Sequence, residues 1–184
     1  VSVSKPDFNP NTVAQDWDYL VNDSSNSSLL NRATQGAYPP GSTFKIVTAL
    51  AYLKAHGSID GYSYNCSGSI TMDDHTITCY DGEVHGEEDF TTAFAESCNS
   101  AFAGIGVDLG RSKLTQTAES LLFNSKLPIP IEYNKSRFDL GDHPGNPLLM
   151  QTSIGQGNTL VSPMHMAMIV SAIANDGVLM KPYY

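Results

Sequence analysis

The sequence has few basic residues. Ten lysines and arginines stand against 19 aspartates and glutamates, and the formal net charge at pH 7 is −9. Proteins that bind nucleic acid or an anionic membrane present a basic face, so this balance argues against both classes of partner. The acidic excess indicates no particular substrate by itself.

Long apolar runs, repeats and cysteines are also scarce. No apolar run reaches the roughly 20 residues of a membrane-spanning helix, and the first residues lack the pattern of a signal peptide. We therefore expect any membrane anchor to lie outside this chain. Three cysteines are too few for a disulfide-built scaffold, while 184 residues with 41% hydrophobic content can form one domain with a real core.

Both ends of the sequence resemble interrupted elements. Residues 1–4 alternate as a strand does, without a lead-in, and residues 178–184 begin an extended segment. We therefore expect an internal piece of a longer protein, with residues 1–184 forming a single partial domain.

The segment Tyr38-Pro-Pro-Gly-Ser-Thr-Phe-Lys45 joins a tight turn to an apolar helical pattern. Ser42 and Lys45 are three residues apart, so on a helix they lie within reach of each other. A lysine in apolar surroundings has a lowered pKa and can take the proton of a serine hydroxyl. The start of a helix also favours developing negative charge. This motif predicts an acyl-transfer nucleophile at Ser42 with Lys45 as its base.

Hydrophobic periodicity predicts the helices around this motif. One helix is expected over residues 42–56, ended by Gly57. A second, over residues 90–97, carries Ser97 toward the same interior as its phenylalanines. A third follows from Asn99 and ends at Gly110.

The central part of the sequence predicts a β-hairpin. Residues 68–72 and 75–79 are rich in β-branched side chains and flank Asp73-Asp74, a turn too weak to fix the register. Residues 127–147 contain four prolines and show no periodicity, so an ordered surface loop is expected there.

Spacing alone does not single out the two serines. Ser-x-x-Lys recurs at Ser2 and Lys5, and Ser-x-Asn recurs at Ser24-Ser-Asn26 and Ser63-Tyr-Asn65. These recurrences lie in polar loops or strand ends. Ser42 instead opens an apolar helix, and Ser97-Cys-Asn99 stands between two helical patterns.

Several motifs in order resemble the transpeptidase domains of penicillin-binding proteins. Asn31-Arg-Ala, then Gly36 and the segment from Tyr38 to Lys45, is similar to the active-site serine region of that family. Glu96-Ser-Cys-Asn-Ser-Ala-Phe102 resembles its second motif. Further similar blocks are Ser153-Ile-Gly-Gln-Gly157, Val161-Ser-Pro-Met-His-Met-Ala167 and Ala174-Asn-Asp-Gly177. The resemblance covers almost the whole chain.

The resemblance implies an α+β, β-lactamase/transpeptidase-like fold: mostly the helical subdomain with a β-hairpin, and an incomplete central antiparallel sheet. It implies a D,D-transpeptidase at the extracytoplasmic face of the bacterial membrane, which cross-links D-Ala-D-Ala stem peptides of peptidoglycan and is acylated by β-lactam antibiotics. Ser42 would be the nucleophile and Lys45 the general base. Ser97 would relay the proton to the leaving amine, and Asn99 would hold the substrate's amide. No cofactor is implied.

One motif of that family is absent from these residues. No lysine is followed by Ser/Thr-Gly, and Lys135-Ser-Arg137 is the nearest approach. In the family the strand that carries this motif supplies the second oxyanion N–H. Because a lost oxyanion donor lowers the rate about 10²–10³-fold, we expect the 184-residue chain alone to acylate slowly or not at all.

Two alternatives remain open beside the transpeptidase. The first is a serine β-lactamase or β-lactam sensor domain. Asn99 argues against both, because the group among them most similar at Ser42-Thr-Phe-Lys-Ile46 is expected to have valine at that position. No glutamate-bearing loop suited to deacylation is evident either. The second is a catalytically incompetent fragment, which the absent Lys-Ser/Thr-Gly motif favours.

Cys66 and Cys79 bracket the predicted hairpin and allow two interpretations. They form a disulfide, which fits an extracytoplasmic location, or they are two buried thiols. A zinc site made of these cysteines with His75 or His85 matches no standard ligand spacing, so no metal site is expected. Cys98, the variable residue of the second motif, is expected to pack in the interior.

Overall fold

The structure is a computed structural model that describes residues 3–183. Its helices and strands are, in chain order, α1 (Val13–Asn22), α2 (Lys45–His56), β1 (Tyr64–Cys66), β2 (Ser69–Met72), β3 (His75–Thr78), β4 (Gly86–Glu88), α3 (Phe90–Ala95), α4 (Asn99–Ser120), α5 (Asn146–Ser153) and α6 (Pro163–Ala174). The predicted α+β class with a dominant helical part is confirmed. The strand expected over residues 1–4 is not formed at Val3 and Ser4, and Val1 and Ser2 lie outside the described residues.

The described residues group into two units. One comprises residues 3–38, Lys126–Ser136 and 161–183, and the other comprises Pro39–Ser125 and Arg137–Leu160. All four residues predicted for the site lie in the second unit. That residues 1–184 form one domain stays a prediction.

The core of the second unit forms around α2, α4 and α5. Phe44, Phe102, Phe123 and Met150 have no exposed surface. The Phe44 ring packs edge-on against Phe123, with centroids 5.8 Å apart, and stacks on Phe138 at 5.9 Å. This packing anchors the residue that directly precedes α2.

The ends of the helices follow local rules. Gly57 closes α2 in the left-handed conformation, and its N–H donates to the Leu53 carbonyl at 2.8 Å. Helix α4 is broken at Gly110, whose φ of 66° and ψ of 178° are not helical, as the sequence predicts. Helix α5 was not predicted, because its pattern begins inside the proline-rich stretch with Pro147 in its first turn.

The predicted hairpin is present, and its register is now fixed. Strands β2 and β3 pair antiparallel, with Ser69 opposite Thr78 and Met72 opposite His75. Asp73 and Asp74 both have positive φ, 48° and 58°, as a two-residue type I′ turn requires. A second antiparallel pair, β1 with β4, brings Cys66 opposite Gly86.

The first unit contains α1 and α6. Ser162 caps α6 by accepting from the His165 N–H at 3.3 Å, and Pro163 occupies the first turn. The His165 ring bonds the Ser136 hydroxyl at 2.7 Å. Within residues 3–183, no helix combines the length and the apolar character needed to cross a bilayer.

Candidate active site

Backbone packing fixes the position of Ser42. The residue is exposed and lies in a short 3₁₀ turn, Gly41–Phe44, that leads directly into α2. The Gly41 N–H donates to the Gly155 carbonyl at 2.9 Å. Gly155 has φ +79°, and a Cβ there would lie 1.9 Å from the Gly41 carbonyl oxygen. Only glycine allows the two backbones to come this close. The Ile154-Gly155-Gln156-Gly157 motif therefore holds the turn that carries Ser42 in position.

Lys45 is the buried cation of the site. It opens α2 and is only 2% exposed. Its Nζ donates to the Ser97 carbonyl, to Ser97 Oγ at 3.0 Å and to Asn99 Oδ1 at 2.7 Å. The Phe102 ring centroid lies 5.7 Å from the same Nζ. The structure thus brings Lys45, Ser97 and Asn99 together as the sequence predicts.

Burial lowers the pKa of Lys45 to about 8, although Cys98, Cys79 and Glu88 act electrostatically in the opposite direction. An amine with this pKa is neutral in roughly a tenth of the molecules at pH 7, compared with less than a thousandth for an ordinary lysine. The buried position therefore prepares Lys45 to accept a proton, which a surface lysine cannot do near neutral pH.

Ser97 is placed differently from the prediction. Helix α3 ends at Ala95, and Ser97 is exposed with φ +55°. The Cys98 N–H donates back to the Ala93 carbonyl at 2.9 Å, which makes Ser97 the left-handed residue of a helix-ending turn. The expectation that helical spacing carries Ser97 inward with the phenylalanines is wrong, because the helix ends two residues before Ser97. The turn directs Ser97 to Lys45 instead.

Asn99 links the lysine to the hairpin. Its Oδ1 accepts from Lys45, and its Nδ2 donates to the Thr78 carbonyl at 3.0 Å. Both polar atoms of the amide are therefore engaged in this structure. Binding of a substrate amide by Asn99 stays a prediction. Thr78 was missed by the sequence analysis, because a backbone acceptor leaves no signal in residue identity.

The serine and the lysine are not directly bonded in this structure. Across residues 3–183, no hydrogen bond joins Ser42 Oγ to Lys45 Nζ, whose three bonds all go to Ser97 and Asn99. The lysine must therefore lose a proton and release one of these partners before it can serve Ser42.

The three cysteines are free, buried thiols in this structure. Cys66 Sγ and Cys79 Sγ are 3.7 Å apart, so the second of the two interpretations, buried thiols, describes the pair here. Cys98 is buried, as predicted, and caps α4 by accepting from the Ala101 N–H. His75 lies elsewhere and contacts the Gln151 amide at 3.2 Å.

Comparison with known proteins agrees with this geometry. The family model of the penicillin-binding protein transpeptidase domain matches residues 1–184. The peptidoglycan D,D-transpeptidase PbpA of Mycobacterium tuberculosis is 34% identical over 194 aligned residues, covering 98% of this chain and 39% of that protein. The chain thus spans about two fifths of the length of this relative.

Two solved structures show the same fold. Penicillin-binding protein A from M. tuberculosis, as its penicillin G acyl-enzyme complex, superimposes with a TM-score of 0.85 at 32% identity, over 98% of this chain and 44% of that one. The D,D-transpeptidase domain of a peptidoglycan glycosyltransferase from Eggerthella lenta gives a TM-score of 0.89 at 28% identity, over 98% and 47% of the two chains. The arrangement around Ser42 therefore lies in a fold for which an acyl-enzyme is known.

Proposed function

The chain belongs to the penicillin-binding protein transpeptidase family, and we propose that it performs the D,D-transpeptidase reaction on peptidoglycan stem peptides through an acyl-enzyme on Ser42. The observation that carries this proposal is the buried Lys45, one helical turn after an exposed serine and bonded to Ser97 and Asn99. A serine, an amine of lowered pKa and a second hydroxyl are the groups that acyl transfer needs.

The first step is attack by Ser42 Oγ on the carbonyl of the penultimate D-Ala. Neutral Lys45 takes the hydroxyl proton as the C–O bond forms. The N-terminal end of the turn that bears Ser42 favours the negative charge that develops on the carbonyl oxygen. This accounts for one oxyanion donor, so we keep the expectation that the 184-residue chain alone acylates slowly or not at all.

The second step expels the leaving amine and leaves an ester on Ser42. Ser97 Oγ, 3.0 Å from Lys45 Nζ, is placed to pass the proton from the lysine to that amine. An amino group from a second stem peptide then attacks the ester and forms the cross-link. Asn99 keeps Lys45 in place during these transfers and, on loss of one of its two bonds, can turn to the substrate's amide.

The partners follow from the same chemistry. A β-lactam presents a strained amide to Ser42 in place of the D-Ala-D-Ala bond, and M. tuberculosis penicillin-binding protein A forms such an acyl-enzyme with penicillin G. Peptidoglycan lies outside the cytoplasmic membrane, so we infer that the site works on the extracytoplasmic face.

Labelling with a fluorescent penicillin, read on a denaturing gel over minutes to hours, tests the proposal. We expect slow labelling that approaches one fluorophore per chain and disappears in Ser42→Ala, because in this proposal Ser42 Oγ is the atom that forms the ester. Thr43→Ala is the matched control: it removes the neighbouring hydroxyl, whose one hydrogen bond within residues 3–183 goes to the Pro40 carbonyl at 2.7 Å. Equal labelling of Ser42→Ala and the wild type would refute the assignment.

Nitrocefin separates the transpeptidase from the β-lactamase alternative. A transpeptidase gives at most a single stoichiometric burst, because its acyl-enzyme awaits an amine. Sustained hydrolysis would instead favour a β-lactamase, and complete absence of both burst and labelling over a day would favour the incompetent fragment.

A further inference from the structure

The buried lysine of the site faces an aromatic ring as well as polar atoms. Phe102 has no exposed surface, and Lys45 Nζ lies over its ring, 5.7 Å from the centroid. A cation within about 6 Å of a ring centroid is attracted by the negative charge on the face of the ring. We propose that Phe102 is a positioning residue of the acyl-transfer site: its ring stabilises the protonated form of Lys45 and thereby keeps the lysine basic enough to accept the Ser42 proton.

Helical spacing places the ring. Phe102 comes three residues after Asn99 in α4, so the two side chains lie on the same face of that helix. Asn99 Oδ1 accepts a hydrogen bond from Lys45 Nζ at 2.7 Å, and the carbonyl oxygen and the hydroxyl of Ser97 accept two more. These three acceptors engage the three protons of the ammonium group. The ring adds a contact that needs no proton.

The ring of Phe102 is held by its neighbours. Its centroid lies 5.9 Å from that of Phe90 and 5.9 Å from that of Phe94, with interplanar angles of 59° and 57°. Both neighbours belong to α3, the helix that precedes the turn at Ser97. Because a closely packed interior holds a buried side chain in one orientation, the packing between α3 and α4 fixes the face that meets Lys45.

A ring that only fills space would not need to meet the ammonium group. Phe138 is such a ring: it is 4% exposed, stacks on Phe44 with centroids 5.9 Å apart and meets Phe123 edge-on at 6.3 Å. Among residues 3–183, the cation found over a phenylalanine ring is Lys45, and the ring is that of Phe102. Phe102 therefore combines packing with an electrostatic contact that Phe138 lacks, and the two rings form a matched pair.

The ring acts together with the charged surroundings of Lys45. Burial lowers the pKa of Lys45 to about 8, while Cys98, Cys79 and Glu88 act electrostatically in the opposite direction. Burial also raises the pKa of the Cys98 thiol, so that thiol is neutral near pH 7. The face of the ring acts in the same direction as Glu88, because it favours the ammonium over the amine. Since the ring does not titrate, its contribution persists at every pH.

The contact matters most when the lysine changes charge. In the first step of the proposed reaction Nζ takes the Ser42 proton, so the ammonium forms beside the ring, and the proton then leaves toward Ser97. An amine of very low basicity is a poor proton acceptor, whereas a very basic amine is seldom neutral near pH 7. Burial and the ring act in opposite directions and together keep Lys45 between these limits. This consequence rests on the proposed function, whereas the contact itself does not.

The test weakens the face of the ring and keeps its shape. Fluorine withdraws electrons from a ring with little change in size, so phenylalanines carrying one, two or three ring fluorines are introduced at Phe102, and the same series at Phe138 is the control. The pKa of Lys45 is read by NMR from isotope-labelled lysine Cε, and the signal is assigned by its absence in Lys45→Met. We expect the pKa to fall with each fluorine at Phe102, by about half a unit to one unit in total, and to stay within about a tenth of a unit in the Phe138 series.

The outcomes distinguish an electrostatic role of the ring from packing. A pKa of Lys45 that stays constant or rises across the Phe102 series, in folded protein, would overturn the proposal, and so would an equal fall in the Phe138 series. If the ring with three fluorines prevents folding, the trend over one and two fluorines still decides.

The acylation rate provides a second measurement. The pH profile of penicillin labelling at Ser42 should move to lower pH in the Phe102 series, by the same amount as the pKa of Lys45. A profile that does not move while the pKa falls would contradict the role of the ring in acylation. A wild type that is never labelled would count against the proposed function, and the titration of Lys45 would still test the contact with Phe102.

Discussion

The two segments that build the site are held by different means. The serine turn is fixed by its backbone, through the Gly41 N–H to the Gly155 carbonyl and through a glycine contact that leaves no room for a side chain. The second motif is fixed by side chains: Cys98 caps α4, and Asn99 bonds the Thr78 carbonyl. Close backbone packing thus positions Ser42, whereas hydrogen bonds to Ser97 and Asn99 position Lys45.

Lys45 shows what this difference means for catalysis. It belongs to the helix that follows the serine, but its hydrogen bonds all go to the second motif. Its position is therefore set by the polar network, while its lowered pKa comes from burial. Damage to either segment should produce a different kind of defect. Damage to the serine turn should misplace the nucleophile, and damage to the network should leave the nucleophile without a base.

Of the variants considered, Lys45→Met should cause the largest loss in the rate of acylation. The apolar side chain fills the buried space but cannot take a proton, and general-base catalysis contributes about 10²–10⁴-fold. We expect the rate constant of penicillin acylation to fall by about that factor. Lys54→Met, an exposed lysine on the same helix that contacts Ser120, is the control and should leave the rate within twofold. A Lys45→Met rate near that of the wild type would mean that another group is the base.

Gly155→Ala should damage the serine turn specifically. The added Cβ meets the Gly41 carbonyl and also requires a strained positive φ, so we expect a loss of about 2–4 kcal/mol in the free energy of unfolding. Acylation should fall with it. Gly61→Ala is the matched control, because Gly61 has φ +78° but no atom within 4 Å of an added Cβ. Equal losses in thermal unfolding for the two variants would show that the contact with Gly41 does not matter.

Asn99→Ala should damage the polar network alone. It removes one acceptor from Lys45 and leaves the Thr78 carbonyl without its side-chain donor. The loss of a partner by a buried polar group lowers the free energy of unfolding by about 1–3 kcal/mol. We expect acylation to slow about 10–100-fold. The amide hydrogen-exchange rates of the turn that carries Ser42 should stay the same as in the wild type. Asn65→Ala, in the exposed Ser63-Tyr-Asn65 recurrence on β1, tests whether the spacing alone carries function and should leave the rate unchanged. A slow Asn65 variant would argue against the assignment of the second motif.

The pH dependence should be the smallest effect. Only neutral Lys45 can act as the base, so acylation should rise with pH through the lysine's pKa of about 8. A single titration of this kind gives about a tenfold increase between pH 7 and pH 9. The increase should vanish in Lys45→Met. A wild-type rate independent of pH over this interval would contradict the lysine's role.

The sequence predicted the parts of the site that depend on residue type and local order. Proline, glycine and apolar spacing located Ser42 and Lys45, and paired β-branched segments located the hairpin. The true end of α3 was missed because it depends on the left-handed backbone conformation of Ser97, a conformation that serine rarely adopts. Helix α5 was missed because the prolines before it obscured its start. The local sequence pattern therefore indicates neither the end of α3 nor the start of α5.

The cluster of Cys66, Cys79, His85 and Cys98 shows the limit of inferring contacts from sequence spacing. Cys66 and Cys79 stand out because they bracket a hairpin, but His85 and Cys98 join them only after β1 pairs with β4 and α4 packs behind the strands. Pairings between distant segments are set by tertiary packing. From the sequence, Cys66, Cys79 and His85 could be considered together, whereas Cys98 was expected only to pack in the interior.

Acylation of Ser42 can be observed directly by peptide mapping with mass spectrometry after prolonged incubation of the chain with penicillin G. We expect one added penicilloyl group on the peptide that contains Ser42, and fragmentation of that peptide should locate the group at Ser42. An unmodified Ser42 in protein that carries the adduct at Ser97, Lys45 or elsewhere would contradict it.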